Sequence, residues 1–294
     1  MLPLGMKKFY RAKSLQPVIK WTGSKRSQAA EIARYITRDY EIYYELFCGG
    51  CSMLFYILNN CADSFKHFVC NDINSDLIAL YNLIKRSPKV VSESYADLWN
   101  ELNKDNDLER KKDFFNAVRT KFNAEKDPCL FFFIMRTTTN GMPRYNQLGE
   151  FNNSFHVTRN GIIPDSVNII IKDWSKLLNL YEVEFTSKSY NEFITTEKDL
   201  LYLDPPYFNT KGMYYGTIDY NALWEYLKNS PSDYLLSFDG IAGDESFIVD
   251  IPEDLYNSHV LVNSGNSSFR RVIGTSSDTN VQESLYVRMR SHVG

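Results

Sequence analysis

This chain of 294 residues lacks long apolar runs, an even set of cysteines and a surplus of basic residues, and each absence excludes a class. No stretch reaches the roughly eighteen uncharged apolar residues that cross a bilayer as a helix. The opening MLPLGMKKFYRAKSLQP has no continuous apolar core of the kind a signal peptide carries. A cytoplasmic chain with no membrane partner is therefore expected, with monomer as the default. Five cysteines do not read as a disulfide framework, and the sequons at Asn152 and Asn266 then carry no meaning. Four scattered histidines leave Cys48 and Cys51 without the second ligand pair that a structural zinc requires, so no metal is expected. The net charge of −3 gives no overall sign of phosphate binding. Within that balance, Lys7, Lys8, Arg11, Lys13, Lys20, Lys25, Arg26, Arg34 and Arg38 crowd the first segment, opposed only by Glu31 and Asp39. They make either a solvated basic face or contacts to phosphate.

Apolar content is ample, at 44% hydrophobic and 15% aromatic, so the chain can bury a large core. Strand-like runs occur at IYYELF, HFVCND, YEVEFTS, DLLYLDPP, DYLLSFDG, HVLVNSG and ESLYVRM. Helical patterns lie between several of them, as at Gln28 to Ile36 and Ser75 to Ile84. Alternation of this kind predicts an α/β sheet, mostly parallel in its first half. From Lys85 to Asn168 the rhythm breaks into charged helical sequence and then an irregular Asn-, Thr- and Gly-rich stretch. That segment, 85–168, reads as an insertion into a domain made of 1–84 and 169–294.

YYELFCGGCSMLFYIL places Gly49 and Gly50 between a strand and a helix, where residues without a Cβ permit a tight turn and close approach of a ligand. The flanking Cys48 and Cys51 leave a redox pair open as the alternative. A nucleotide-binding turn predicts a carboxylate about twenty residues on, at the end of the next strand, to hold a ribose. Asp72 stands there, although Asp72 or Asn74 could equally cap the helix that begins near Ser75. LLYLDPPYFNT carries the most chemistry. Asp204 ends an apolar strand, Pro205 and Pro206 remove two backbone donors and stiffen the chain, and Tyr207 adds an aromatic face. An acid, a carbonyl and a ring on one corner suit a planar group with an exocyclic amine, such as adenine.

Taken together these segments resemble the Dam-type (D12 class, alpha group) adenine-N6 DNA methyltransferases of bacteria and phages. The resemblance runs through nearly the whole chain: KWTGSKRS (Trp21, Gly23, Lys25), FCGG (Phe47, Gly49, Gly50), NDINSDLIALYN (Asp72), RTTTNGMPRYNQLGEFN and DPPY. It implies a Rossmann-like S-adenosyl-L-methionine-dependent methyltransferase sheet with an inserted, mainly helical target-recognition domain. It implies transfer of a methyl group to N6 of an adenine flipped out of double-stranded DNA, with Asp204, Pro205, Pro206 and Tyr207 as the catalytic corner. Trp21, Gly23, Lys25, Phe47, Gly49, Gly50, Asp72, Tyr190 and Asp204 would serve the cofactor. Arg136, Asn140, Arg144, Asn146, Arg11 and Arg270 would serve the DNA, and a cognate restriction endonuclease would be a second partner. Thr139 departs from the aromatic residue many relatives carry before Asn-Gly, so the target sequence stays open. The same chemistry on cytosine N4 or RNA adenine, or a catalytically idle DNA-binding relative, stands as the alternative.

Overall fold

A computed structural model of the chain describes residues 16–141, 143–206, 218–266 and 280–290. Each strand-like run forms a strand: β1 (Tyr40–Glu45), β2 (Phe65–Asn71), β3 (Glu184–Thr186), β4 (Leu200–Leu203) and β5 (Asp233–Ala242), then β7 (Ser258–Asn266) and β8 (Asn280–Arg288). A two-residue β6 (Glu245–Ser246), too short to show a period, folds back on β5. The sheet order is β3-β2-β1-β4-β5-β8-β7, parallel from β3 to β5, with β8 antiparallel to both of its neighbours. All four residues of β4 are buried, as a strand covered on both faces requires.

Local signals account for most helix starts. The long helices are α3 (Ser75–Arg86), α4 (Pro88–Leu102), α5 (Leu108–Glu125), α6 (Pro128–Thr137), α7 (Pro164–Leu180) and α8 (Tyr220–Asn229). Asn74, Asp107, Asp127 and Asp219 each accept a backbone N–H at a helix head, and prolines open α4, α6 and α7. The shorter α2 (Ser52–Asn60) joins β1 to β2. The helix expected over Gln28 to Ile36 is broken into α1 (Ala29–Ile32) and a 3-10 turn, Ala33–Tyr35. The apolar spacing still buries Ala29, Ile32 and Ala33, but the chain must extend at Ile36 to enter β1, and the last turn tightens.

The insertion is continuous with the sheet in its packing. Helices α3 and α7 run across the boundaries expected at 85 and 168. One core cluster joins Tyr43, Leu54 and Ile57 of the sheet half to Tyr95, Phe122, Phe132 and Trp174 of the helices. Helix α6 (PCLFFFIMRT) is apolar nearly all round because it lies inside this cluster, with eight of its ten residues buried and only Pro128 and Arg136 partly exposed. A second cluster on the other sheet face packs Leu223 and Leu227 of α8 on Leu201 and Leu203 of β4.

Phe132→Ala should cost about 3–5 kcal/mol, the usual cost of emptying an aromatic core position. Because one core serves both parts, denaturation followed by tryptophan fluorescence and by far-ultraviolet dichroism should shift together. Two separated transitions would contradict a shared core.

Candidate active site

The ends of β2, β1 and β4 lie side by side, and the loops leaving them frame one cleft, which with its open mouth encloses about 790 Å³. Trp21, Gly23, Lys25, Phe47, Gly49 and Gly50 line it from one side, and Asp72, Asp204, Pro205 and Pro206 complete it.

The glycine turn is shaped by what packs on it. Gly49 sits at φ +43, and a Cβ there would lie 2.7 Å from Nε1 of Trp21. Its N–H donates to Oδ2 of Asp72 at 3.0 Å, and the N–H of Asn74 donates to Oδ1 at 2.9 Å. Asn74, not Asp72, caps α3, accepting from Leu77 N–H at 3.1 Å. The two candidates for one job thus have different ones, and Asp72 braces the turn. Burial pushes its carboxyl up from the ordinary range, and the two amides hold it back. Burial likewise pushes the Cys48 and Cys51 thiols up, the opposite of what a reactive thiolate needs. The redox reading loses its support.

Lys25 is the anchor of the cleft. The residue is 2% exposed, yet its Nζ meets Oδ2 of Asp204 at 2.8 Å and Oε2 of Glu283 at 3.1 Å, and donates to the carbonyl of Gly23 at 3.2 Å. Burial alone would lower this ammonium, but the two carboxylates outweigh it and the net direction is up. The backbone N–H of Lys25 donates to Ser52 Oγ at 2.9 Å, tying the motif to the head of α2.

Two further carboxyl groups were not anticipated. Glu45, at the end of β1, lines the cleft and accepts from the Tyr43 hydroxyl at 2.9 Å. Burial, reinforced by Asp204, raises its carboxyl to about 8 despite the hydrogen bonds it accepts. Asp239, on β5, is raised to about 6 by burial first and then by Glu283 and Asp204. An acid inside the apolar run IYYELF was a usable sign of Glu45. Glu283 carried no local sign.

The Pro-Pro corner is held from behind, for the Tyr220 hydroxyl at the start of α8 donates to the Pro206 carbonyl. Tyr190 stands behind the lining, with its ring centroid 5.6 Å from that of Phe47. Tyr207, Arg11 and Arg270 lie outside the described residues. The backbone of Asn140 is in the short turn Thr139–Gly141, and its side chain also lies outside them.

Arg144 is exposed on a hairpin closed by a bridge between Tyr145 and Phe151. Asn146 builds that hairpin: Oδ1 accepts from the N–H groups of Leu148 and Glu150, both at 2.9 Å. Arg136 is not brought to this surface. Its guanidinium turns inward over the Phe132 ring, donates to the Pro17 carbonyl at 2.7 Å, and is lowered by burial to about 10. It fastens the start of the described chain to α6.

A family model described as "D12 class N6 adenine-specific DNA methyltransferase" matches residues 21–239. The Type II methyltransferase M.MjaIII of Methanocaldococcus jannaschii is 31% identical over 208 residues, covering 66% of this chain and 69% of that one. The Type II methyltransferase M.CviBI of Paramecium bursaria Chlorella virus NC1A is 26% identical over 255 residues, 84% of this chain and 88% of that one. The DNA adenine methylase of Escherichia coli K12 is 30% identical over 196 residues, 64% of each chain. Among the described residues no helix is long and apolar enough to cross a membrane.

The raised Glu45 carboxyl gives a signed pH dependence. Between its ordinary value and about 8 the unfolded chain has released a proton that the folded chain keeps, so stability falls as pH rises through that window. Thermal melts from pH 5 to 8.5 should show this decline in the native chain and a flatter profile in Glu45→Gln, which keeps an acceptor for Tyr43. Equal slopes would refute the assignment.

Proposed function

The chain belongs to the D12 class of N6 adenine-specific DNA methyltransferases, and on that premise we propose that Asp204 and the Pro205 carbonyl receive the amine of an adenine extruded from duplex DNA. The observation that carries this reading is the acid at the head of a braced Pro-Pro corner, opening on a cleft with more carboxyl groups than cations.

The lining fits the cofactor that the family's chemistry calls for. Asp72 and Asp204 face Lys25, with Glu45 beside them as a carboxyl that burial keeps protonated, a set that suits a ligand bearing positive charge and hydroxyl donors and would repel a nucleotide's phosphates. S-adenosyl-L-methionine supplies, when bound, a methyl group made electrophilic by a sulfonium. Lys25 and Asp204 would hold its amino-acid end, Asp72 its ribose, and Phe47 and Ile73 its base. Tyr190 would support Phe47 from behind.

The protein's own work is alignment. An amine inside a duplex cannot reach the cleft, so the base has to be drawn out at a cost of a few kcal/mol, with Tyr207 offered as its stacking face. Asp204 and the Pro205 carbonyl then accept the two N–H bonds and turn the nitrogen lone pair toward the methyl donor. As that nitrogen became positive, the fixed carboxylate would stabilise it, with a neutral thioether as the leaving group and the surplus N–H proton passing to Asp204 and on to water; no covalent link to the protein would form. Glu283 supports this role by giving Lys25 a second partner, so Asp204 can be released to the amine without leaving a buried ammonium unpaired.

DNA would be read by the 85–168 segment, with Arg144 placed on the hairpin to make paired hydrogen bonds to a guanine. Asn140 and Asn146 would shape or flank that contact, and Arg11 and Arg270 would touch phosphate. The Type II names of two relatives support a role beside a restriction endonuclease, and we propose that the chain acts on DNA as a monomer.

Sequencing DNA from a methylation-free host that expresses the chain, with detection of modified bases, should reveal N6-methyladenine in one short motif. Asp204→Asn, which preserves shape, should lower the methylation rate by about 10²- to 10³-fold. Near-native turnover in that variant would falsify the catalytic corner. Arg144→Ala should lose about 1–3 kcal/mol of discrimination, seen as relaxed sequence at one position of the motif.

A further inference from the structure

The recognition hairpin and the cofactor cleft share a hydrogen-bonded chain. Tyr145 follows Arg144, and its hydroxyl donates to Oδ2 of Asp76 at 2.9 Å while accepting from Nδ2 of Asn74 at 3.3 Å. Asn74 lines the cleft, and its N–H reaches Asp72, whose other oxygen holds the Gly49 amide. Pro143, on the far side of Arg144, lines the same cleft. Lys126, at the end of α5, lies 3.8 Å from Asp76 and 5.8 Å from the centre of the Tyr145 ring, closing the group from the helical side. Arg144 is therefore flanked on both sides by residues in contact with the cofactor's surroundings, and Tyr145 reaches the ribose acid through one intermediary.

If the cleft takes S-adenosylmethionine and the hairpin takes DNA, as proposed above, occupation of one bears on the other. We propose that Tyr145 is a positioning residue that couples the two: its hydroxyl fixes the hairpin to the Asp72–Asp76 segment, so that DNA on Arg144 steadies Asp72 and tightens cofactor binding. The dependence is reciprocal, since a coupling free energy between two sites acts equally in both directions. The hydroxyl is the sole part the coupling needs. The ring also packs edge-on against Phe151, with centroids 5.7 Å apart, and that contact shapes the hairpin whether or not the hydroxyl is present.

Tyr145→Phe separates the two roles. Calorimetric titration of the full chain with S-adenosylhomocysteine, alone and saturated with sheared genomic DNA lacking adenine methylation, reads the coupling without turnover. DNA should tighten binding to the native chain, and Tyr145→Phe should reduce that gain by roughly threefold to tenfold, the scale of one net hydrogen bond. Affinity without DNA should stay within about twofold of native on the same scale. Asp76→Ala should behave like Tyr145→Phe, whereas Asp76→Asn, which keeps an acceptor, should restore most of the gain. A DNA-dependent gain that survives in Tyr145→Phe, or is missing from the native chain, overturns the inference and leaves the methyltransferase reading standing. Failure of the native chain to bind S-adenosylhomocysteine at all sinks both. Coupled binding without methylated motifs in the sequenced DNA supports the inference and removes the proposed activity.

Discussion

A single buried ammonium draws three distant parts of this chain to one point. Lys25 comes from the turn after Trp-Thr-Gly, Asp204 from the end of β4 and Glu283 from β8, and the two partly exposed carboxylates meet an ammonium that is almost out of contact with water. A charge this buried is tolerable only when its partners are close and well aimed. That demand pulls the early segment across the carboxyl edge of the sheet. Trp21 then lands against Gly49, and the glycine turn acquires its shape from the ring it has to admit. Two walls of the cleft, the 21–25 segment and the end of β4, are held together by the Lys25–Asp204 pair.

Charge balance gives the cleft its character. Asp72 and Asp204 outnumber Lys25, the ammonium of its described lining, while burial keeps Glu45 beside them protonated. Such a wall favours a cationic ligand, and its preference weakens once the ligand has given up its charge. The difference between a sulfonium donor and a neutral thioether product is of that kind, which suits a wall that must grip the first more firmly than the second.

The hairpin that carries Arg144 and the cleft are built on one core. Helix α6 lies in the middle of it, and the hairpin that follows α6 is fixed to the head of α3 through Tyr145, Asn74 and Asp76. Close-packed interiors transmit small displacements, which is the physical basis of the coupling proposed above. Arg136 illustrates the economy: a cation that precedes the hairpin is spent internally, on the Pro17 carbonyl, while Arg144 on the hairpin is exposed.

Strand positions, the glycine turn and the acid-Pro-Pro corner were determined by the sequence alone. Each rests on a handful of adjacent residues whose backbone preferences act locally: prolines without donors, glycine where φ is positive. The assignment of Asn74 as cap and Asp72 as brace, the inward turn of Arg136, the retreat of Tyr190 behind Phe47 and the entry of Glu283 were decided by tertiary structure. Those outcomes depend on which elements become neighbours, and a buried charge takes whatever partner the packing brings near it, however far away that partner lies along the chain.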